Sequence, residues 1–121
     1  MYEVDPLVRK FQKELSTGTV SFLLLAQLAK AEAPLYGYQI AKQLEQDGDG
    51  VLSGKQSALY AVLRNLDAAG LLQSEVEPSV AGPPRRYYRI TDFGRQVFSA
   101  WRNTWQQTQT LVNTVLEGAP Q

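Results

Sequence analysis

The sequence predicts a mainly helical fold with one small β-hairpin. Apolar residues recur every three to four positions, the spacing of a helix face, through most of the chain. Two short runs beyond the midpoint alternate between apolar and polar residues instead, and a loop rich in proline and glycine separates them. Since 121 residues suit one domain, we expect a single unit in which helices flank the hairpin.

Two helices are predicted at the N-terminal end. Asp5 is a suitable N-cap and Pro6 suits the first helical position, so the first helix is expected over residues 5–15. Ser16-Thr17-Gly18 is expected to interrupt it before a second helix over residues 19–31. Apolar side chains cover most of the circumference of this second helix, so we expect it at the centre of the domain.

Two further helices are predicted in the middle of the chain. The third spans about residues 36–46 and ends in a glycine-rich turn. The fourth spans about residues 54–69. Ser53 and Gln56 match a capping box at its start, and Gly70 is placed to stop it.

The hairpin is indicated by a change in the spacing of apolar residues, from every three or four positions to every second position. Residues 72–77 and 87–90 alternate as strands do, and residues 78–84 form a loop too rich in proline and glycine for either strand or helix. Thr91 and Asp92 then cap a last helix, which is expected over about residues 93–116.

The order of these elements is that of a winged helix-turn-helix. In that layout the second helix of a pair enters a DNA major groove about 12 Å wide, and the hairpin reaches neighbouring phosphates. The fourth helix is then the reading helix. Polar side chains on it and at the base of the hairpin become the candidate DNA contacts: Lys55, Gln56, Ser57, Tyr60, Arg64, Arg85 and Arg86. The alternative for the helix is an ordinary solvated face, and for the two arginines protection of an exposed edge strand.

The charge distribution supports a DNA footprint. The chain has 12 basic and 12 acidic residues, a net charge of zero. Residues 1–54 hold 5 basic and 7 acidic residues, residues 55–102 hold 7 and 4, and residues 103–121 hold none and 1. The net charges of these three segments are −2, +3 and −1. The positive segment contains the proposed reading helix and the hairpin, which is the wing of a winged helix. The overall neutrality favours the alternative function, a winged-helix module that binds other proteins without DNA.

The last helix predicts a homodimer. Large apolar residues on the last helix follow a spacing of three and four, and no later segment is present in the sequence to cover them. The interface residues predicted on this helix are Phe98, Trp101, Trp105, Leu111, Val112 and Val115. A second interpretation of Trp101 and Trp105 is an aromatic effector pocket within that seam.

The composition excludes several kinds of chemistry. With no His and no Cys, the chain lacks the usual general base, thiol nucleophile and imidazole or thiolate metal ligands. We therefore expect no enzyme activity, no metal and no cofactor. No apolar run approaches the roughly 20 residues of a membrane-spanning helix, and the N-terminus lacks a targeting pattern, so a cytoplasmic protein is expected.

Three motifs resemble a known family, the PadR-like transcriptional regulators. Residues 35–40, LYGYQI, resemble its L-[HY]-G-Y-x-[IL] motif. Residues 59–71, LYAVLRNLDAAGL, resemble its L-Y-P-x-L-x-x-L-x-x-x-G-L stretch. Residues 84–94, PRRYYRITDFG, resemble its [RK]-x-Y-x-[IL]-T-x-x-G segment. The three occur in order, and the resemblance covers about residues 16–117.

The resemblance implies a winged-helix homodimer of the short subgroup, usually a repressor and often relieved by a small hydrophobic or aromatic molecule. It also implies that the first helix joins the dimer interface, where the predicted residues are Leu7, Val8 and Phe11. It implies a DNA-binding domain over residues 1–91, a dimerisation helix over residues 92–117 and a tail over residues 118–121. Tyr60 matches the family's reading-helix tyrosine, expected near the DNA backbone. The chain departs from the family at Ala61, usually proline, and at Ser57-Ala58, usually Gly-Thr, so no operator sequence carries over.

Overall fold

A computed structural model describes the backbone of residues 3–48 and 56–121, with the side chains at all of these except 48, 56 and 57. This part of the chain confirms the mainly helical fold with a small sheet. Its elements follow in the order α1 (Val4–Lys30), β1 (Leu35–Tyr36), α2 (Gly37–Gly48), α3 (Gln56–Ala68), β2 (Leu72–Glu77), β3 (Arg85–Ile90) and α4 (Asp92–Glu117). The predicted capping residue Ser53 lies outside the described residues.

The predicted division of the N-terminal segment into two helices is wrong. One continuous helix, α1, replaces the helix expected over residues 5–15 and the one after it. Neither Thr17 of the expected break nor Thr19, the expected start of the second helix, caps a new helix. Their hydroxyls donate to the carbonyls of Lys13 and Leu15, at 2.9 and 2.7 Å, within the same helix.

The start of α1 also differs from the prediction. Glu3, not Asp5, is the N-cap residue, and its side chain makes no capping hydrogen bond. Asp5 and Pro6 therefore lie inside the first turn. Both are tolerated there, since a carboxylate favours the positive end of the helix dipole and the first N–H groups have no partner in the helix to lose.

The sheet has three antiparallel strands in the order β1-β3-β2. The predicted hairpin is confirmed, with Leu72 opposite Ile90 at its base and Glu77 opposite Arg85 near its tip. The short strand β1 was not predicted. It pairs Leu35 with Tyr88, so at Tyr88 the strand β3 has a neighbouring strand on each side.

The junction between α3 and α4 carries two predicted signals that are confirmed. Gly70 has φ +83° and ends α3, where the N–H of Leu71 bonds to the carbonyl of Leu66 at 3.0 Å. The Thr91 hydroxyl accepts from Gly94 N–H at 2.9 Å at the start of α4. It also donates to the Gly70 carbonyl at 2.7 Å, so the two helix ends are held against each other.

The core lies where α1 meets the helical pair and the sheet. Leu24, Leu25 and Leu28 of α1 are buried, which confirms the prediction that this segment is central. They form one cluster with buried residues of α2, α3, the turn after α3, β2 and β3, namely Ile40, Leu44, Leu63, Leu66, Leu71, Leu72 and Tyr88. Among the residues the structure describes, no helix has both the length and the apolarity needed to cross a bilayer.

Candidate nucleic-acid interface

The hairpin formed by β2, β3 and the loop at residues 78–84 is called the wing below. A groove of about 590 Å³ runs between α3 and this wing. Four residues named as DNA contacts line it: Tyr60, Arg64, Arg85 and Arg86. Other walls come from the wing loop, from β1 and from the start of α2. The fold thus brings residues 21 or more positions apart, from α3 and β3, to one surface.

The predicted reading helix is α3, and its candidate DNA contacts differ in their environments. Arg64 is exposed on α3, whereas the Tyr60 ring is half-buried and packs against the core. Tyr60 fits closely against the start of α2, because a Cβ atom on Gly37 would lie 2.9 Å from its ring. Lys55 lies outside the described residues. The backbones of Gln56 and Ser57 form the first turn of α3, while their side chains lie outside the description.

The two wing arginines lie on opposite faces of the sheet, because neighbouring residues of a strand alternate. Arg85 shares the outer face with Tyr87, and its guanidinium lies 4.6 Å from the centre of the Tyr36 ring. A cation held over an aromatic face keeps the edge of its guanidinium available for other hydrogen bonds. Glu77 lies opposite Arg85 in the register, so one carboxylate shares this end of the wing.

Arg86 lies on the inner face, where it is connected to the reading helix. Its Nη1 donates to the Ser74 hydroxyl at 3.0 Å. The Ser74 hydroxyl in turn donates to the Asp67 carboxylate. Since Asp67 belongs to the last turn of α3, these two hydrogen bonds join α3, β2 and β3 through side chains.

Tyr88 is a core residue of the central strand. It shares a face with Ile90 and is only 4% exposed. Burial raises the pKa of its phenol above the ordinary value of 10.0; Asp67 also raises it, while Arg86 and Arg64 lower it. The phenol of Tyr88 therefore keeps its proton to a higher pH than an exposed tyrosine does.

This burial predicts a loss of stability in alkali that depends on Tyr88. Because the folded-state pKa is raised, the unfolded chain releases the phenol proton first, and the contribution of Tyr88 is lost as pH rises above 10. We expect the urea midpoint of the wild type to fall more between pH 9 and pH 11 than that of Tyr88→Phe. Tyr38→Phe, at an exposed ring, is the control and should fall as the wild type does. An equal fall in Tyr88→Phe would contradict the prediction.

Tyr36 and Tyr38, which also line the groove, were missed by sequence reasoning. The Tyr36 ring stacks on Tyr38 at 6.3 Å between centres and contacts Tyr87 at 5.7 Å. Lys42 lies over the Tyr38 ring at 5.7 Å. The tyrosines of the LYGY motif were visible in the sequence, but their place next to the wing depends on the pairing of β1 with β3.

The predicted dimer residues fall into two groups. Phe98 and Trp101 are half-buried and pack against the core, with the Phe98 ring 5.7 Å from Phe22 of α1. The other seven are large apolar side chains that one chain leaves exposed: Leu7, Val8, Phe11, Trp105, Leu111, Val112 and Val115. They lie on the first half of α1 and the second half of α4.

Known proteins match this arrangement. The pattern of the transcriptional regulator PadR-like family matches residues 24–100. A PadR family transcriptional regulator from Eggerthella lenta DSM 2243 is 34% identical with a TM-score of 0.81, covering 95% of this chain and 96% of that one. A PadR-like transcriptional regulator from Bacillus cereus is 25% identical with a TM-score of 0.72, covering 88% and 100%. The chain therefore belongs to the PadR-like family of transcriptional regulators.

Proposed function

We propose that this protein is a dimeric, sequence-specific DNA-binding repressor whose DNA surface is the groove between α3 and the wing. The observation that carries the proposal is the convergence of three arginines, Arg64, Arg85 and Arg86, on that groove. Guanidinium groups bind phosphate and base edges through paired hydrogen bonds. The family relationship supports the same function.

The proposed binding mode follows from the order of the elements. The first turn of α3 enters the major groove, where Lys55, Gln56 and Ser57 contact bases or phosphates and the helix N-terminus favours an anion. Tyr60 and Arg64 follow one and two turns later. The wing lies along the flanking backbone with Arg85 and Arg86.

The proposal includes a two-fold dimer through the exposed apolar residues of α1 and α4. Seven such residues on two helices make a surface that a soluble monomer rarely leaves uncovered. The proposed DNA-binding unit over residues 1–91 would then occur twice, joined by helices over residues 92–117. A two-fold dimer requires a palindromic operator with half-sites one or two helical turns apart, each turn being about 34 Å.

The test is fluorescence anisotropy with a labelled duplex from the region upstream of the protein's own gene. We expect specific binding that weakens steeply with salt, because each phosphate contact contributes about 0.9 to the log–log slope. A scrambled duplex of equal length is the control. Equal affinity for both, or no dependence on salt, would overturn the proposal and favour a protein-binding winged helix.

Arg64→Ala is expected to lower operator affinity about tenfold, since a guanidinium contact to a base or phosphate contributes about 1–3 kcal/mol. Lys30→Ala is the matched control, because Lys30 is exposed at the end of α1 and does not line the groove. It should bind as the wild type does. Equal losses in the two variants would show that only overall charge matters and would remove Arg64 from the interface.

The proposal also includes an aromatic or hydrophobic effector that binds at the dimer seam and relieves repression. Trp105 is 41% exposed in one chain, whereas Trp101 is half-buried against the core. A site between the two rings would be completed by the partner copy. A panel of flat aromatic compounds is expected to quench tryptophan emission of the wild type and to do so less in Trp105→Phe. The absence of any response across the panel would leave the pair as packing residues.

A further inference from the structure

The inner face of the wing has few contacts beyond its base. Leu72 and Tyr88 are buried there, and Ser74 is half-buried. The next inner residues toward the tip, Val76 and Arg86, are exposed. A two-stranded ribbon without a packed face is only marginally stable in water, so the orientation of this part of the wing depends on its remaining connections.

The Asp67–Ser74–Arg86 hydrogen bonds are such a connection. Ser74 lies opposite Tyr88 in the register, so Arg86, two residues before Tyr88, is its diagonal neighbour and can reach it. The single hydroxyl accepts from a cation and donates to an anion, and both bonds are charge-assisted. The guanidinium of Arg86 therefore points back toward the end of α3 rather than toward the wing tip.

Arg85 has the opposite arrangement. Its guanidinium lies over the Tyr36 ring, a contact with an aromatic face and not with a hydrogen-bond acceptor, so its N–H groups remain for a phosphate. Both arginines line the groove, but Arg86 donates a hydrogen bond to Ser74, whereas Arg85 contacts an aromatic ring. The adjacent pair thus divides into two roles.

We infer that Ser74 and Asp67 are positioning residues that hold Arg86, and with it the wing, at a set angle to the reading helix, while Arg85 makes the phosphate contact. This inference rests on the proposed function and refines it, because it assigns Arg86 to holding the wing in place and leaves the phosphate contact of the wing to Arg85. Neither Ser74 nor Asp67 touches DNA in this arrangement; each acts through Arg86.

Salt dependence separates the two roles. Arg85→Ala should reduce the slope of log K against log salt by about 0.9 per protomer, or about 1.8 for a dimer. Ser74→Ala removes no charge, so it should lower operator affinity about three- to tenfold with the slope unchanged. Ser74→Thr keeps the hydroxyl on a residue suited to a strand and should restore binding.

Non-additivity tests whether Ser74 acts through Arg86. In an Arg86→Ala background, Ser74→Ala should cause no further loss of operator affinity, because the connection is already broken. Three results would overturn the inference. Ser74→Ala could bind the operator with wild-type affinity, the losses in affinity could multiply in the double variant, or Arg86→Ala could reduce the salt slope as much as Arg85→Ala does.

A measurement without DNA keeps this inference separable from the proposed function. Ser74→Ala and Arg86→Ala should each lower the urea midpoint of the free protein, and the double variant should lower it no further than the larger single effect. If the wild type bound no duplex, the proposed function would fail, but the urea midpoints of these three variants would still show whether Ser74 and Arg86 interact. Additive shifts would overturn it.

Discussion

Gly94→Ala is expected to lower the free energy of unfolding by about 3 kcal/mol or more. A Cβ atom at this position would lie 2.1 Å from the Leu71 carbonyl oxygen and 2.8 Å from a side-chain carbon of Ile90. The first contact is with backbone, which cannot rotate away. The start of α4 would have to separate from the end of α3, and the hydrogen bonds of Thr91 to that turn would be lost.

Gly18→Ala is the matched control for this prediction. Gly18 also lies in a helix, but a Cβ atom there would meet no atom within 4 Å. Alanine should therefore stabilise the protein by up to about 1 kcal/mol through helix propensity. Urea denaturation of both variants measures the difference. A loss below about 1 kcal/mol in Gly94→Ala would show that α4 can shift at little cost.

Leu111→Glu is expected to abolish the proposed dimer and, with it, operator binding. Leu111 is 64% exposed in one chain, so the carboxylate costs the monomer little. In the dimer it would be buried without a partner, at about 3 kcal/mol or more for each copy. The two copies together would raise the dimer dissociation constant about ten-thousand-fold.

Asn113→Glu adds the same charge to the same helix as a control. It lies two positions further on, about 160° around the helix from Leu111, and should leave the dimer intact. Sedimentation velocity gives the oligomeric state, and anisotropy on the operator duplex gives the binding. A dimer that survives Leu111→Glu would contradict the predicted interface.

Much of the fold could be predicted because several signals were local. The alternation of residues 72–77 specifies a strand whatever surrounds it. Gly70 and Thr91 mark helix ends through their own backbone and side-chain geometry. The central position of α1 follows from the unbroken apolar surface around Leu24 and Leu25.

The errors arose where tertiary packing decided the outcome. Ser16-Thr17-Gly18 is a reasonable break in isolation, yet Ser16 is buried and the flanking turns continue through it. The strand Leu35–Tyr36 has two residues, too few to show any period. It exists because β3 is available to pair with it.

The sequence was enough to place three arginines on one surface, but not to predict the contacts that each of them makes. Arg64, Arg85 and Arg86 were named from charge and position, and they line one groove. That Arg86 bonds to Ser74, twelve positions away, follows only from the strand register. Adjacent arginines look equivalent in a sequence, although a strand sends them to opposite faces.

The continuity of α1 has a mechanical consequence. Its 27 residues form a rod about 40 Å long, with exposed apolar residues in its first half and buried core leucines in its second. No joint separates the two halves. A tilt of 5° about one end therefore displaces the other by about 3.5 Å, comparable to one base-pair step along DNA. Since α1 packs against α3, the rod would transmit a rearrangement at its exposed end directly into the orientation of α3, the proposed reading helix.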